Sequence, residues 1–476
     1  MAFIALVAIV TVLVGFATIS KHSGSRPSPL MDAFSLKQNM ARLLNTADQP
    51  PNLPFLEGIR IILMVLVLVA HANTAVLRTP LTNPDDIELQ NNNFFFPLIN
   101  SLNTHVISMF FTVAGMVQAD SFLTAIDKSV GRIQVGFVLQ KIFRRLANLV
   151  PAYAFVIFYQ ATLFPRTKLT PVGYKHQDYC DRHWWTNLLF INNYVHANEP
   201  CMKFGWYLGV DFQLFLASSA IIMIIWRFPR SKMLCTYLMI TISLALPAFE
   251  IYKEKLDATS TFNMKHALTD YLSYEGYLKN YAPTTVNAGY YFIGMIAAFT
   301  YHHINKNDNL HFKAFSYTSK LITSITPIFL AINGILLVLP SLPKPSIILA
   351  LYGSALKAIW SVANGSLLLY LALRSNSKIV ALLAHPQLRV LTRLSFCVYI
   401  VQLSVVYTFY SHLSVPITNN ASHAIYVTSV ISFVSCASGL MLYLAVQAPC
   451  TILLNRLIDR MLAKKEIGRR KIDKTF

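Results

Sequence analysis

Negative charge is the scarcest property of this sequence, with 21 Asp and Glu against 40 Lys and Arg in 476 residues. Charged residues of both signs reach only 13%, where a soluble domain of ordinary composition carries about a quarter. With 55% hydrophobic residues and a mean hydropathy of +0.48, the chain cannot be a soluble globular protein. No internal repeat is evident, and no long linker splits the chain. The longest hydrophilic stretches, 20–57, 165–204 and 252–284, are too short to fold as separate domains. No ring of charges or filter sequence appears, which removes the main argument for an ion channel. Whatever the protein does must be built mainly from a helical bundle.

What is present in quantity is apolar sequence in spans of about 20 residues, the length needed to cross a ~30 Å hydrocarbon core. Eleven such spans are expected, at about 1–19, 58–77, 102–122, 146–164, 205–226, 234–251, 285–303, 321–340, 346–373, 391–411 and 424–447. The fold class is therefore an all-α polytopic membrane bundle. Placing the N-terminus outside and the C-terminus in the cytoplasm puts 28 of the 40 Lys and Arg on the cytoplasmic side, as the positive-inside rule requires. Eight of these lie in the tail after 447: Arg456, Arg460, Lys464, Lys465, Arg469, Arg470, Lys471 and Lys474. The net charge of +19 thus orients the chain and favours anionic lipid as a partner; it does not argue for nucleic acid. The first span could be read as a signal peptide, but it has no basic n-region and is followed by Lys21, His22 and Arg26, which favours an anchor.

Four ionisable residues stand out against this apolar background. Arg60 and His71 are eleven residues apart in FLEGIRIILMVLVLVAHANTAVL, so they project from one helix face, separated by roughly 16 Å along the axis. That spacing places Arg60 at the head-group level and His71 inside the hydrocarbon, where an ionisable group is a functional candidate by default. Asp211 lies a turn or so inside its span and Lys357 lies mid-span; each must pair or line a polar cavity, and a pair between the two is one possibility. A lone intramembrane histidine can equally be a residue that hydrogen-bonds one helix to another.

Of the six cysteines, Cys235, Cys397, Cys436 and Cys450 fall in or at spans and read as packing thiols. Cys180 and Cys201 share the outside loop, where a disulfide is chemically permitted and expected, the alternative being two free thiols. No metal site is expected, because His176, His183 and His196 do not make a convincing tetrad with these cysteines.

Several segments together resemble the acyltransferase-3 family, in particular its animal branch of nose-resistant-to-fluoxetine-like proteins. They are DAFSLKQNMARLLNT, FLEGIRIILMVLVLVAH, FFTVAG, FRRLANLVPAY, CDRHWWTNLLFINNYVHANEPCMKFGWYLGVDFQLFL, YGSALKAIW and LTRLSFCVYIV. The arginine–ten residues–histidine spacing of Arg60 and His71 is a hallmark of that family. The resemblance implies transfer of an acyl group from acyl-CoA, used as a substrate with no permanently bound cofactor, to a hydroxyl acceptor. It implies His71 as general base and Arg60 on the donor side, where a guanidinium can pair with phosphate. Lys141, Arg144 and Arg145 lie at the same rim and are expected to hold the nucleotide part of CoA, although a rim arginine such as Arg144 is often only a topology signal. Lys357, where the family carries arginine, is a further donor-binding candidate, with Asp211 as buried polar support. The organisation that follows is an anchor at 1–19, a connector at 20–57, the acyltransferase-3-like domain at 58–447 and a basic tail at 448–476, in a multi-pass protein of the endoplasmic reticulum or plasma membrane.

Departures from the family pattern fall on polar positions. Ser108 stands in place of an aspartate, Asn148 in place of an arginine, Gln402 in place of a histidine and Gln447 in place of a glutamate. Each keeps some hydrogen-bonding capacity and loses charge or acid–base capability. The alternative function is therefore a catalytically weakened relative that handles or transports lipids or small molecules. The cysteine-bearing segment that family members often place before the first span is not in this sequence, which fits a short member or a truncated one.

Overall fold

The computed structural model describes residues 1–20, 28–46, 51–77, 79–92, 95–128, 135–164, 179–260, 274–307, 315–325, 342–412 and 415–472. Its long elements are α1 (Ala2–Ser20), α2 (Phe55–Val76), α3 (Phe95–Lys128) and α4 (Val135–Thr162), then the short α5 (Tyr179–Leu188). They continue with α6 (Trp206–Arg227), α7 (Lys232–Lys253), α8 (Thr284–Asn307) and α9 (Ile347–Leu373). The chain closes with α10 (Pro386–Ser411), α11 (Ala421–Leu442) and α12 (Ala448–Ile472). Among the described residues there is no strand, only an isolated bridge between Leu81 and Ile417.

Nine helical segments among the described residues are long and apolar enough to cross a membrane, against the eleven expected from sequence. The expected span at 285–303 is present as α8 but does not meet that measure of apolarity. The reason is its position: α8 is packed between α3, α7 and α9 and buries polar groups such as Asn287, which a lipid-facing helix could not carry. The expected span at 321–340 lies largely outside the described residues. The stretch after 447 forms α12, and α11 and α12 are joined by a single π turn, Tyr443–Gln447.

α3 and α8 are closely packed, and two glycines allow it. A methyl group on Gly115 would overlap the carbonyl oxygen of Tyr291, and one on Gly294 would overlap that of Thr112. Small residues at a crossing let backbones approach where lipid offers no hydrophobic drive between helices. Around this crossing Phe111, Met116, Phe122, Tyr291, Met295 and Leu214 are fully buried.

Polar backbone atoms freed inside the bundle are recovered by side chains. Pro151 cannot donate to the carbonyl of Ala147, and the Thr451 hydroxyl of α12 donates to that oxygen at 3.1 Å. The connector before α2 contains two short helices, Pro29–Phe34 and Leu36–Leu44, and the second ends on α10. There the Arg393 guanidinium donates to the carbonyls of Arg42, Leu43 and Asn45 at 2.8–2.9 Å, satisfying the acceptors a helix end leaves open. α2 is held between α3, α10 and α11, which fixes the face that carries Arg60 and His71.

Candidate functional site

Arg60 is the sixth residue of α2 and is half-buried. It lies within electrostatic reach of the Tyr207 hydroxyl and Asp211 of α6, Arg145 of α4 and Glu57 of its own helix. Among the described residues it has these neighbours but no hydrogen-bond partner. Asp211 is paired with Arg145 rather than Lys357, so the pairing considered from sequence is corrected. The cause is helix placement: Arg145 reaches across from α4 and lays its guanidinium over the Phe215 ring at 4.2 Å, one turn along α6 from Asp211. Glu57 has its own partner in Arg389, at 3.4 Å. Two guanidiniums and one carboxylate therefore share a largely buried region and leave about one positive charge for an anionic group to neutralise.

His71 sits eleven residues further along α2, toward the opposite end. Its ring lies flat on Phe204, with centroids 3.9 Å apart and planes inclined by 4°. Phe204 belongs to the segment that links the disulfide to α6, and its carbonyl accepts from the Tyr399 hydroxyl of α10 at 2.7 Å. The last residues of this segment thus pack into the bundle against α2 and α10. Stacking covers one face of the imidazole, and Nδ1 is buried without a hydrogen-bond partner among the described residues. The Gln402 amide of α10 lies beside the ring, and both of its polar atoms are themselves unpartnered among the described residues.

The remaining candidates are dispersed. Lys141 donates to the Ser121 hydroxyl at 2.7 Å and sits over the rings of Phe122 and Phe137, facing α3. Arg144 pairs with Asp459 of α12 at 2.7 Å on the exposed surface. Lys357 donates to the carbonyl of Asn280 at 2.7 Å, beside a small polar hollow shared with Ser108, Thr259 and Asn287. Only Arg145 of the basic rim set thus joins Arg60. Cys180 and Cys201 form the disulfide. His176 lies outside the described residues.

Two of the four departures from the family pattern touch each other. The Gln447 amide, in the π turn, donates to the side-chain and backbone oxygens of Asn148, both at 3.1 Å, and accepts from the Cys397 thiol at 2.9 Å. Ser108 accepts from the Asn364 amide at 3.1 Å. Three of the four substituted residues are therefore satisfied inside the bundle, and Gln402, beside His71, is the exception.

Sequence reasoning missed a polar cluster at the Arg60 end. His302 of α8 hydrogen-bonds Asp120 of α3 at 2.9 Å, next to Asn52 and Thr124, at the edge of an open cavity of about 520 Å³. Asp120 is an acid in an apolar span, the same signal that singled out Asp211, and could have been found that way.

Comparison with known proteins gives consistent results. A family model described as an acyltransferase domain, acyltransferase-3, matches residues 53–446. Nose resistant to fluoxetine protein 6 of Caenorhabditis elegans is 25% identical over 205 residues, covering 40% of this chain and 25% of that protein. Regulator of hypoxia-inducible factor 1 of the same organism is 21% identical over 459 residues, covering 91% of this chain and 86% of that protein. The chain thus spans about a quarter of the first relative's length and most of the second's. No solved structure matches.

Proposed function

The chain belongs to the acyltransferase-3 family, and from that premise we propose that this multi-pass membrane protein transfers an acyl group from acyl-CoA to a hydroxyl acceptor. The observation that carries the proposal is the single face of α2, which offers a cationic group at one end and an imidazole with an unpartnered nitrogen at the other. Arg60 and Arg145, with one net positive charge between them and Asp211, hold the phosphate-bearing donor. His71 takes the proton of the acceptor hydroxyl as its oxygen attacks the thioester carbonyl. The carbon–sulfur bond then breaks, and the CoA sulfur leaves as a thiol after taking up that proton. Phe204 sets the plane of the imidazole without covering its in-plane lone pairs. Gln402 can orient the ring but cannot share its proton. The disulfide agrees with a membrane of the secretory route, at the endoplasmic reticulum or plasma membrane.

A second reading is a binding or transport protein that keeps the fold and the charged cluster without the chemistry. It is favoured by Gln402, an amide beside the proposed base. Incubating the purified protein with labelled acetyl-CoA and longer acyl-CoAs separates the two. Transfer that falls by about 10²-fold or more in His71→Ala, with CoA binding retained, supports the enzyme. CoA binding without transfer in the unmodified protein supports the second reading, and neither binding nor transfer sinks both.

A further inference from the structure

Within the segment closed by the disulfide, three metal-ligating side chains meet. We propose that His183, His196 and Glu199 form a binding site for a divalent transition-metal ion of the zinc type. One ligand atom from each lies within 4.8 Å of the others. His183 Nε2 is 3.0 Å from the Glu199 carboxylate, and the two imidazoles stack with centroids 3.9 Å apart and planes at 19°. Ligands on a tetrahedral zinc with ~2.1 Å bonds are ~3.4 Å apart, so the widest of these separations has to close by little more than an ångström. The near-parallel rings must also swing so that their lone pairs converge, a rotation available to His196 because it is exposed.

Two observations single the cluster out from an ordinary histidine–glutamate contact. The second nitrogen of His183, Nδ1, is buried with no hydrogen-bond partner among the described residues, so the ring is engaged through the Nε2 that faces Glu199. His196 adopts φ 54°, a left-handed conformation that a non-glycine residue holds only when its surroundings enforce it. Here the enforcement is visible. The Glu199 amide donates to the His196 carbonyl at 2.9 Å, and the Cys180–Cys201 bridge closes the segment that contains all three ligands. A loop ordered by a disulfide loses less freedom when it binds an ion. Two imidazoles and a carboxylate suit zinc better than calcium or magnesium, which prefer oxygen-only sets. Three protein ligands leave a fourth position for water. The site was not expected from sequence, because the ligand completing it is Glu199, not a cysteine.

The test uses the full chain in detergent, stripped with chelator and titrated with Zn²⁺ against a chromophoric competitor, with Co²⁺ absorption as a second readout. One equivalent bound, with tetrahedral Co²⁺ bands, is expected. The affinity should fall at least tenfold in His196→Asn and Glu199→Gln, and in a His183→Ala/His196→Ala double variant. His196→Asn acts on an exposed side chain, so unchanged elution and thermal melting of that variant keep the result interpretable. No stoichiometric binding, or binding equally tight in all three variants, overturns the proposal and leaves the cluster as a hydrogen-bonded pair with a stacked neighbour.

Discussion

Arg145 and Asn148 stand three residues apart on α4, and each reaches a polar group on another element. Arg145 meets the carboxylate of Asp211, while Asn148 meets the amide of Gln447. The first contact keeps full charge in a largely buried setting, and the second is neutral although the family pattern points to arginine and glutamate at its two positions. If those family residues met as they do here, the chain has replaced both charges of one contact together. A buried ion pair stabilises little more than a well-made neutral pair, so such an exchange need not weaken the bundle. Charge persists where Arg60 is a neighbour. In this chain Asn148 and Gln447 form one neutral contact at a helix–helix clamp, whereas Gln402 lies beside His71.

This contrast can be broken experimentally. The largest effect is expected from Asp211→Ala, which leaves the Arg145 guanidinium buried without its carboxylate and should cost about 3–5 kcal/mol of stability. Thermal unfolding in detergent measures it, and a loss no greater than that of the neutral contact would remove the distinction. Gln447→Glu places a carboxylate against Asn148 and the Cys397 thiol and should cost about 1–3 kcal/mol. Adding Asn148→Arg should recover much of that loss. A double-mutant cycle without coupling between the two positions would show that the pair was never exchanged as a unit.

Glu254→Gln provides the surface reference. Hydrogen bonds from Lys279 and Lys253 hold the Glu254 carboxyl below its ordinary range. A group lowered on folding adds stability above its unfolded pKa and loses it as the pH falls through the lower, folded value. The change should therefore cost under about 0.5 kcal/mol at neutral pH and nothing in strong acid, as comparison of melting at the two pH values would reveal. A larger effect would mean that solvent screens this ion pair less than its position implies.

The helical, membrane-embedded class was legible from composition and span length alone, because hydrocarbon forces every backbone group to be paired within a segment. The resemblance carried by the long block from Cys180 to Leu216 named the family, which the match over residues 53–446 bears out. α8 was recognised as a helix, but its low apolarity made sense only once it was seen enclosed by α3, α7 and α9. The eleven-residue spacing put Arg60 and His71 on one face, since that follows from helix geometry. It carried no information about which groups face them from other helices.

Those facing groups are what the tertiary structure decided. Asp211 went to Arg145 because α4 and α6 bring them together, and Lys357 turned to a backbone carbonyl. Phe204 reached His71 because the chain after the disulfide turns into the bundle before α6 begins. The sequence by itself determined that costly polar groups lie in apolar spans and must find partners, because burial penalises an unpaired group wherever it sits. It could not determine the partners, because they lie far apart along the chain and depend on how the helices cross.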